Sequence, residues 1–209
     1  MCGRFEQHIE WQQGWTELLK DWPWSPRHNL KPTQAVGTVD AQGFQQRQWW
    51  LVPPWASSPQ SRYPTFNARA ETLAEKPSFR RAWSQSQRCI VPASRYFEWA
   101  LRAGVKQCHA VEAANGEPLL LAGLWERWRG DDSEIHSCTI VTVPASNDMA
   151  VLHPRMPLIL RTAANADEWL HADVDTAAKQ LQPVDASLRV KTVDSPEPDA
   201  SQSGQQPLF

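Results

Sequence analysis

Apolar residues fall along this chain in short runs separated by polar and proline-rich stretches, a pattern of strands more than of long helices. Ala35–Val39, Gln48–Val52, Cys89–Ala93, Tyr96–Leu101, His109–Glu112, Leu119–Trp125 and Ser137–Val143 each have β-branched, aromatic or alternating character, which predicts seven short strands. Leu119–Trp125 and Thr139–Val143 are apolar enough to be expected at the centre of the sheet. Leu188–Val193 predicts a last strand. Helical spacing occurs twice: Trp11, Trp15, Leu18 and Leu19 within Glu10–Lys20, and Asp167–Leu181 after Asn165 as a candidate cap. The expected fold class is α+β, a single domain built on a curled, largely antiparallel and barrel-like β-sheet with peripheral helices. That domain spans residues 1–193, and the polar residues 194–209 lack the apolar side chains that offset ordering entropy, so a disordered tail is expected there.

Composition narrows the function classes. A chain of 209 residues, 41% hydrophobic, has enough material for one sizeable core. Its 17 prolines against 9 glycines suggest many fixed turns and extended segments. No apolar run approaches the roughly 20 residues of a membrane span, and Met1-Cys2-Gly3-Arg4 opens no signal peptide. A cytoplasmic protein without membrane contact is expected. Cys2, Cys89, Cys108 and Cys138 are widely spaced, without a zinc-finger companion histidine, so no metal, cofactor or disulfide framework is expected. Cys89, Cys108 and Cys138 read as core thiols. His8, His28, His109, His136 and His171 stand in no suggestive context and read as structural or solvated.

The net charge of −2 argues against nucleic acid until its distribution is considered. Arg27 to Lys106 carries twelve basic and four acidic residues, or +8, and the remainder carries −10. That basic block also holds Trp49, Trp50, Trp55, Tyr63, Phe66, Trp83, Tyr96 and Trp99. Cationic grooves with aromatic faces hold single-stranded DNA, each stacked base contributing about 1–3 kcal/mol. About a third of the tryptophans are expected on the surface for that purpose.

The sharpest chemical signal is Cys2. Removal of Met1 places an α-amine and a thiol on adjacent carbons, a pair that traps an aldehyde first as an imine and then as a five-membered thiazolidine. The α-amine has a reference pKa of about 7.7–8.0, against about 10.4 for lysine, and so is more nucleophilic at neutral pH. Three later segments carry side chains suited to the proton transfers: Phe66-Asn67-Ala68-Arg69-Ala70-Glu71-Thr72, Arg95-Tyr96-Phe97-Glu98-Trp99 and His153-Pro154-Arg155-Met156-Pro157.

With Met1-Cys2-Gly3-Arg4-Phe5, these motifs resemble the SOS-response-associated peptidase family. The likeness runs to about Leu160 and takes in Trp49 with Leu51-Val52-Pro53, Trp55, Lys76-Pro77-Ser78-Phe79-Arg80 and Arg88-Cys89-Ile90-Val91-Pro92-Ala93. The resemblance implies a protein that bonds covalently to abasic sites in single-stranded DNA through Cys2. It implies a reacting centre of Cys2, Asn67, Glu98 and His153, with Arg4 and Arg69 near DNA phosphates. Arg155 and Trp55 are further candidates for DNA contact.

The residue types suit those roles. Glu98, between Phe97 and Trp99, is expected to be partly desolvated and able to give and take protons. His153 is held by the restricted backbone before Pro154. Asn67 offers a donor and an acceptor to the amino terminus or the C1′ hydroxyl, and strand alternation puts Arg69 on its face. Weak lyase activity is expected beside dominant crosslinking, and a peptidase role would refer to removal of Met1, with methionine aminopeptidase as the equal alternative. A non-covalent single-stranded DNA module and a peptidase with an amino-terminal nucleophile are the other two readings.

Two departures from the family pattern affect the groove. Ala93-Ser94-Arg95 stands where Ala-Asp-Gly is usual, and Trp50 stands at a usual glycine, losing access to positive φ. At the other end, Gln205-Gln206-Pro207-Leu208-Phe209 resembles a peptide that docks on the bacterial sliding clamp, with Gln205, Leu208 and Phe209 as its contacts. A monomer is expected.

Overall fold

The computed structural model describes residues 2–8, 16–19, 22, 25–60, 63–131, 133–183, 187–194 and 196. Among them the strands are β1 (Phe5–Gln7), β2 (Arg27–Leu30), β3 (Ala35–Asp40), β4 (Gly43–Trp49), β5 (Asn67–Arg69), β6 (Arg88–Ala93) and β7 (Arg95–Arg102). They continue as β8 (Val105–Ala113), β9 (Leu119–Arg129), β10 (Glu134–Pro144), β11 (Arg155–Pro157), β12 (Ile159–Leu160) and β13 (Leu188–Val193). The helices are short: α1 (Thr16–Leu19), α2 (Arg80–Ser84), α3 (Asn147–Ala150), α4 (Ala163–His171) and α5 (Val174–Ala178).

The strands β10, β4, β3, β6 and β9 follow one another in hydrogen-bonded order, and β9 pairs back onto β10, so the larger sheet curls into a closed ring. Its pairings are antiparallel apart from β10 with β4 and with β5. Gly123 marks the point where β9 is pinched between β6 and β10: a Cβ there would lie 2.7 Å from the Thr139 carbonyl oxygen and 3.0 Å from Cys89 Sγ. A second sheet, in the order β13-β8-β7-β1-β2, carries the amino-terminal strand. β9 and β10 are the long central strands expected from their apolar runs, and β13 has the expected bounds.

Three expectations change. The strand expected at Gln48–Val52 is Gly43–Trp49, because the polar Arg47 turns inward and is neutralised by Asp40. The single helix expected at Asp167–Leu181 is two: Thr162, not Asn165, caps α4 by accepting from the Asn165 N–H at 3.0 Å, and Asp173 caps α5 by accepting from the Thr176 N–H at 2.7 Å. Arg88 of β6 reaches the Trp169 and Ala172 carbonyls and so closes the C-terminus of α4. Among the nine described tryptophans only Trp55 is mostly exposed, since Trp49, Trp83, Trp128 and Trp169 fill the interior. Most of the helix expected at Glu10–Lys20 lies outside the described residues.

Cys89, Cys108 and Cys138 are buried free thiols, as is Cys2. Burial pushes Cys89 up to about 12. Trp50 and Arg95 do not adopt positive φ, so the loss of two family glycines leaves the backbone unstrained there.

Candidate functional site around the amino terminus

Pairing of β1 with β7 brings the amino terminus to the site. Phe5 lies opposite Tyr96 and Glu6 opposite Arg95, and the Phe97 N–H donates to the Arg4 carbonyl at 2.9 Å. Carried two residues further, the same antiparallel approach sets Cys2 and Gly3 beside Glu98. Cys2 is fully buried, and Glu98 is 4% exposed. Desolvation pushes the Cys2 thiol well above its ordinary range, and the neighbouring charge of Glu98 pushes it the same way.

Asn67 begins β5, which is held in parallel register along β10 with Asn67 opposite Ile140. Its Nδ2 donates to the Cys2 carbonyl at 2.9 Å. A carbonyl only accepts, so the amide's orientation is fixed by this bond. Its Oδ1 is buried without a hydrogen-bond partner among the described residues. Cys2, just ahead of β1, thus meets Asn67 of β5 and the charge of Glu98 of β7.

The motif reading did not single out Tyr96. It is 1% exposed, its hydroxyl has no hydrogen-bond partner among the described residues, and both Cys2 and Glu98 act on it electrostatically. Burial, then those two groups, hold the phenol far above its usual range. Strand alternation was the available signal, because Tyr96 and Glu98 share a face of β7.

Thr142 of β10 is the junction for the remaining candidates. Arg69 pairs with it on one edge and Pro157 of β11 on the other. Arg155 Nη2 donates to the Thr142 carbonyl at 2.5 Å and Nη1 to Glu71 Oε1 at 2.5 Å, which holds the Glu71 carboxyl below its ordinary range. The Arg155 N–H donates to His153 Nδ1 at 3.0 Å. The Arg155 carbonyl oxygen lies 3.1 Å from the same Nδ1, so that nitrogen is turned toward the Arg155 backbone in either tautomer.

Arg4 and Trp55 stand apart from this group. Arg4 donates to Asn29 Oδ1 at 3.0 Å and lies 5.8 Å from the Trp99 ring, on the side of the sheet where its charge reaches Cys108. Trp55 is 63% exposed and donates from Nε1 to the Pro77 carbonyl at 3.2 Å. Several residues of the basic block serve the interior: Arg47 with Asp40, Arg81 with Glu126 and Arg88 on α4. A polar cavity of about 500 Å³ beside Asp40, Arg47, Arg81, Trp125, Arg127 and His136 lies at the opposite end of β10 from Arg69 and Arg155. Gln205, Leu208 and Phe209 lie outside the described residues. No described helix is long and apolar enough to cross a membrane.

Comparison with known proteins identifies the family. The family model described as SOS response associated peptidase (SRAP) matches residues 1–196. The chain is 36% identical over 200 residues to the abasic site processing protein YoqW of Bacillus subtilis, covering 89% of this chain and 88% of that one. It is 30% identical over 202 residues to the abasic site processing protein YedK of Escherichia coli, covering 90% and 86%. A crystal structure of a Bordetella bronchiseptica protein superposes with a TM-score of 0.82 at 27% identity, covering 93% of this chain and 100% of that one. A family match across almost the whole length, with a relative 36% identical over most of both chains, places this chain in the SOS response associated peptidase (SRAP) family.

Proposed function

We propose that this protein captures abasic sites in single-stranded DNA as a covalent thiazolidine on Cys2 once Met1 is removed. The observation that carries the reading is the convergence at Cys2, whose carbonyl is held by Asn67 at 2.9 Å beside the buried Glu98. The ring-opened abasic sugar presents an aldehyde at C1′. The Cys2 amine adds to that carbon and water leaves, giving an imine. The thiol then adds to the imine carbon, its proton passing to nitrogen, and closes the ring.

Each step has a side chain suited to it. Glu98 exchanges protons with the sugar oxygen and the amine. Asn67 Oδ1 accepts from the amine or the C1′ hydroxyl, while its Nδ2 fixes the Cys2 carbonyl. The Nε2 side of His153 hydrogen-bonds the sugar and flanking phosphate. Arg69 and Arg155 receive phosphates, Arg155 exchanging its contact with Glu71 for a DNA anion. Arg4 contributes positive potential, and the exposed Trp55 offers a face for stacking. The buried Cys2 thiol is protonated before reaction, so the amine leads and the thiol closes.

The imine also acidifies C2′, which opens a β-elimination route and so a weak lyase activity. Ring closure competes with that route and preserves the strand. The peptidase in the family's description corresponds on this reading to removal of Met1, assisted by Cys2 and Glu98 or carried out by methionine aminopeptidase.

The experiment is a denaturing gel of Met1-processed protein with a single-stranded oligonucleotide holding one abasic site, beside the same strand intact. A denaturant-resistant shifted band confined to the abasic strand is expected; salt-reversible binding to both strands would leave only a non-covalent module.

Clamp docking through Gln205, Leu208 and Phe209 is a separate part of the proposal. Two large apolar side chains on a polar tether form a compact anchor. Deleting Leu208 and Phe209 is expected to abolish retention on an immobilised bacterial sliding clamp while adduct yield is unchanged. Retention that survives the deletion would dismiss the peptide.

A further inference from the structure

We infer that Glu6, His8 and His28 form a surface site for a divalent transition cation of borderline softness, with Zn²⁺ as its best match. The three side chains offer ligand atoms that all lie within 4.8 Å of one another. Glu6 and His8 are two residues apart and share a face of the strand direction set by β1, while His28 comes from the adjacent β2. The register between β1 and β2 shifts between Phe5 and Gln7. That irregularity brings His28 level with Glu6.

Glu6 Oε1 is 3.5 Å from His28 Nδ1, and the His8 and His28 rings meet edge to face with centroids 5.2 Å apart. Bonds of about 2.0–2.1 Å in a tetrahedral site separate neighbouring ligand atoms by roughly 3.3 Å, so small side-chain rotations close the set. Two imidazoles and one carboxylate are a suitable donor set for zinc, with water in the fourth position.

The surroundings hold the carboxylate in place. Glu6 is only 8% exposed, and its other oxygen lies 3.6 Å from Arg95 Nε, so the group is oriented without consuming Oε1. Ser94 Oγ donates to the Glu6 carbonyl at 3.1 Å and accepts from the His8 N–H at 3.3 Å, fixing the backbone that carries both ligands. His28 is half exposed, which gives a cation access from solvent. The spacing of these residues in the sequence resembles no metal motif because the ligands come from two strands joined by a long connection. A bound ion would tie β1 to β2 and so stiffen the strand that follows Cys2.

The test is calorimetric titration of the full chain with zinc sulfate, with thermal denaturation measured in parallel. The amine and thiol of Cys2 are themselves chelating, so wild type, Cys2→Ser, His8→Ala and His28→Ala are compared. One equivalent of zinc is expected to bind wild type and Cys2→Ser alike and to raise the unfolding midpoint with concentration. Each histidine variant is expected to bind at least about tenfold more weakly while unfolding at the same temperature without metal. The Glu6–His28 pair is then a simple ion pair, and the proposal fails, if neither protein binds zinc, if binding survives His28→Ala, or if it is lost in Cys2→Ser.

Discussion

Cys2→Ala is expected to reduce the stable adduct with abasic single-stranded DNA to about one hundredth of wild type or less, without abolishing reaction altogether. The α-amine remains after Met1 removal, so the imine still forms and borohydride reduction traps it. Lacking a thiol, the imine cannot close, and β-elimination proceeds uncontested. Strand cleavage therefore rises as the unreduced adduct disappears. A denaturing gel run with and without borohydride measures all three quantities together. The substitution removes one buried sulfur and leaves a small cavity, at a cost of about 1 kcal/mol. A variant that still gave a full yield of denaturant-resistant adduct without reduction would remove the thiol from the mechanism.

Glu98→Gln carries the second large effect. General acid–base catalysis by a positioned side chain contributes about 10²–10⁴-fold, and the crosslinking rate at neutral pH is expected to fall within that range. Glutamine preserves the shape of a side chain that is 4% exposed, so the fold is retained. The sign of the accompanying shift makes the result diagnostic. The negative charge of Glu98 is one of the causes that raise the Cys2 thiol, so neutralising it moves the thiol back toward its ordinary value. At any given pH more thiolate is then present, and ring closure on its own would speed up. A net loss of rate consequently belongs to proton transfer at the amine and sugar oxygen, and single-turnover kinetics across neutral and alkaline pH separates the two. A rate unchanged by Glu98→Gln would reduce Glu98 to a structural neighbour of Cys2 and Tyr96.

The strands that form the ring were legible where burial alone decides them. Leu119–Trp125 and Thr139–Val143 occupy β9 and β10, whose faces are covered on both sides. Legibility ended where a tertiary partner overrides local pattern. Arg47 counts toward the basic block in the sequence, yet Asp40 neutralises it inside the sheet at β4. Residues 167–181 read as one helix until Asp173 starts another and Arg88 closes the first. β5 and β11 are three residues each, too short for any periodicity, and exist because β10 offers both edges.

The candidate site divides the same way. Cys2, Asn67 and Glu98 were identified from motif context, and the fold brings them together. Arg4, expected near the DNA phosphates and not at the reacting centre, donates to Asn29 and lies over the Trp99 ring. Tyr96 reads in the sequence only as one of the aromatic residues of the basic block, because an aromatic residue in an apolar strand signals packing before chemistry. The segregated basic charge gave an incomplete picture of a DNA groove, since Arg47, Arg81 and Arg88 are paired or capped within the molecule.

Covalent capture through Cys2 is tested most directly by the intact mass of the product formed between Met1-processed protein and a single-stranded oligonucleotide carrying one abasic site. Imine formation expels one water, and ring closure is an isomerisation. The expected mass is therefore protein without Met1 plus oligonucleotide less one water, and it is absent when the aldehyde is first capped with methoxyamine. Peptide mapping is expected to place the added mass on Cys2. Protein and DNA recovered only at their separate masses, or an adduct that forms on the capped strand, would contradict capture of the abasic aldehyde.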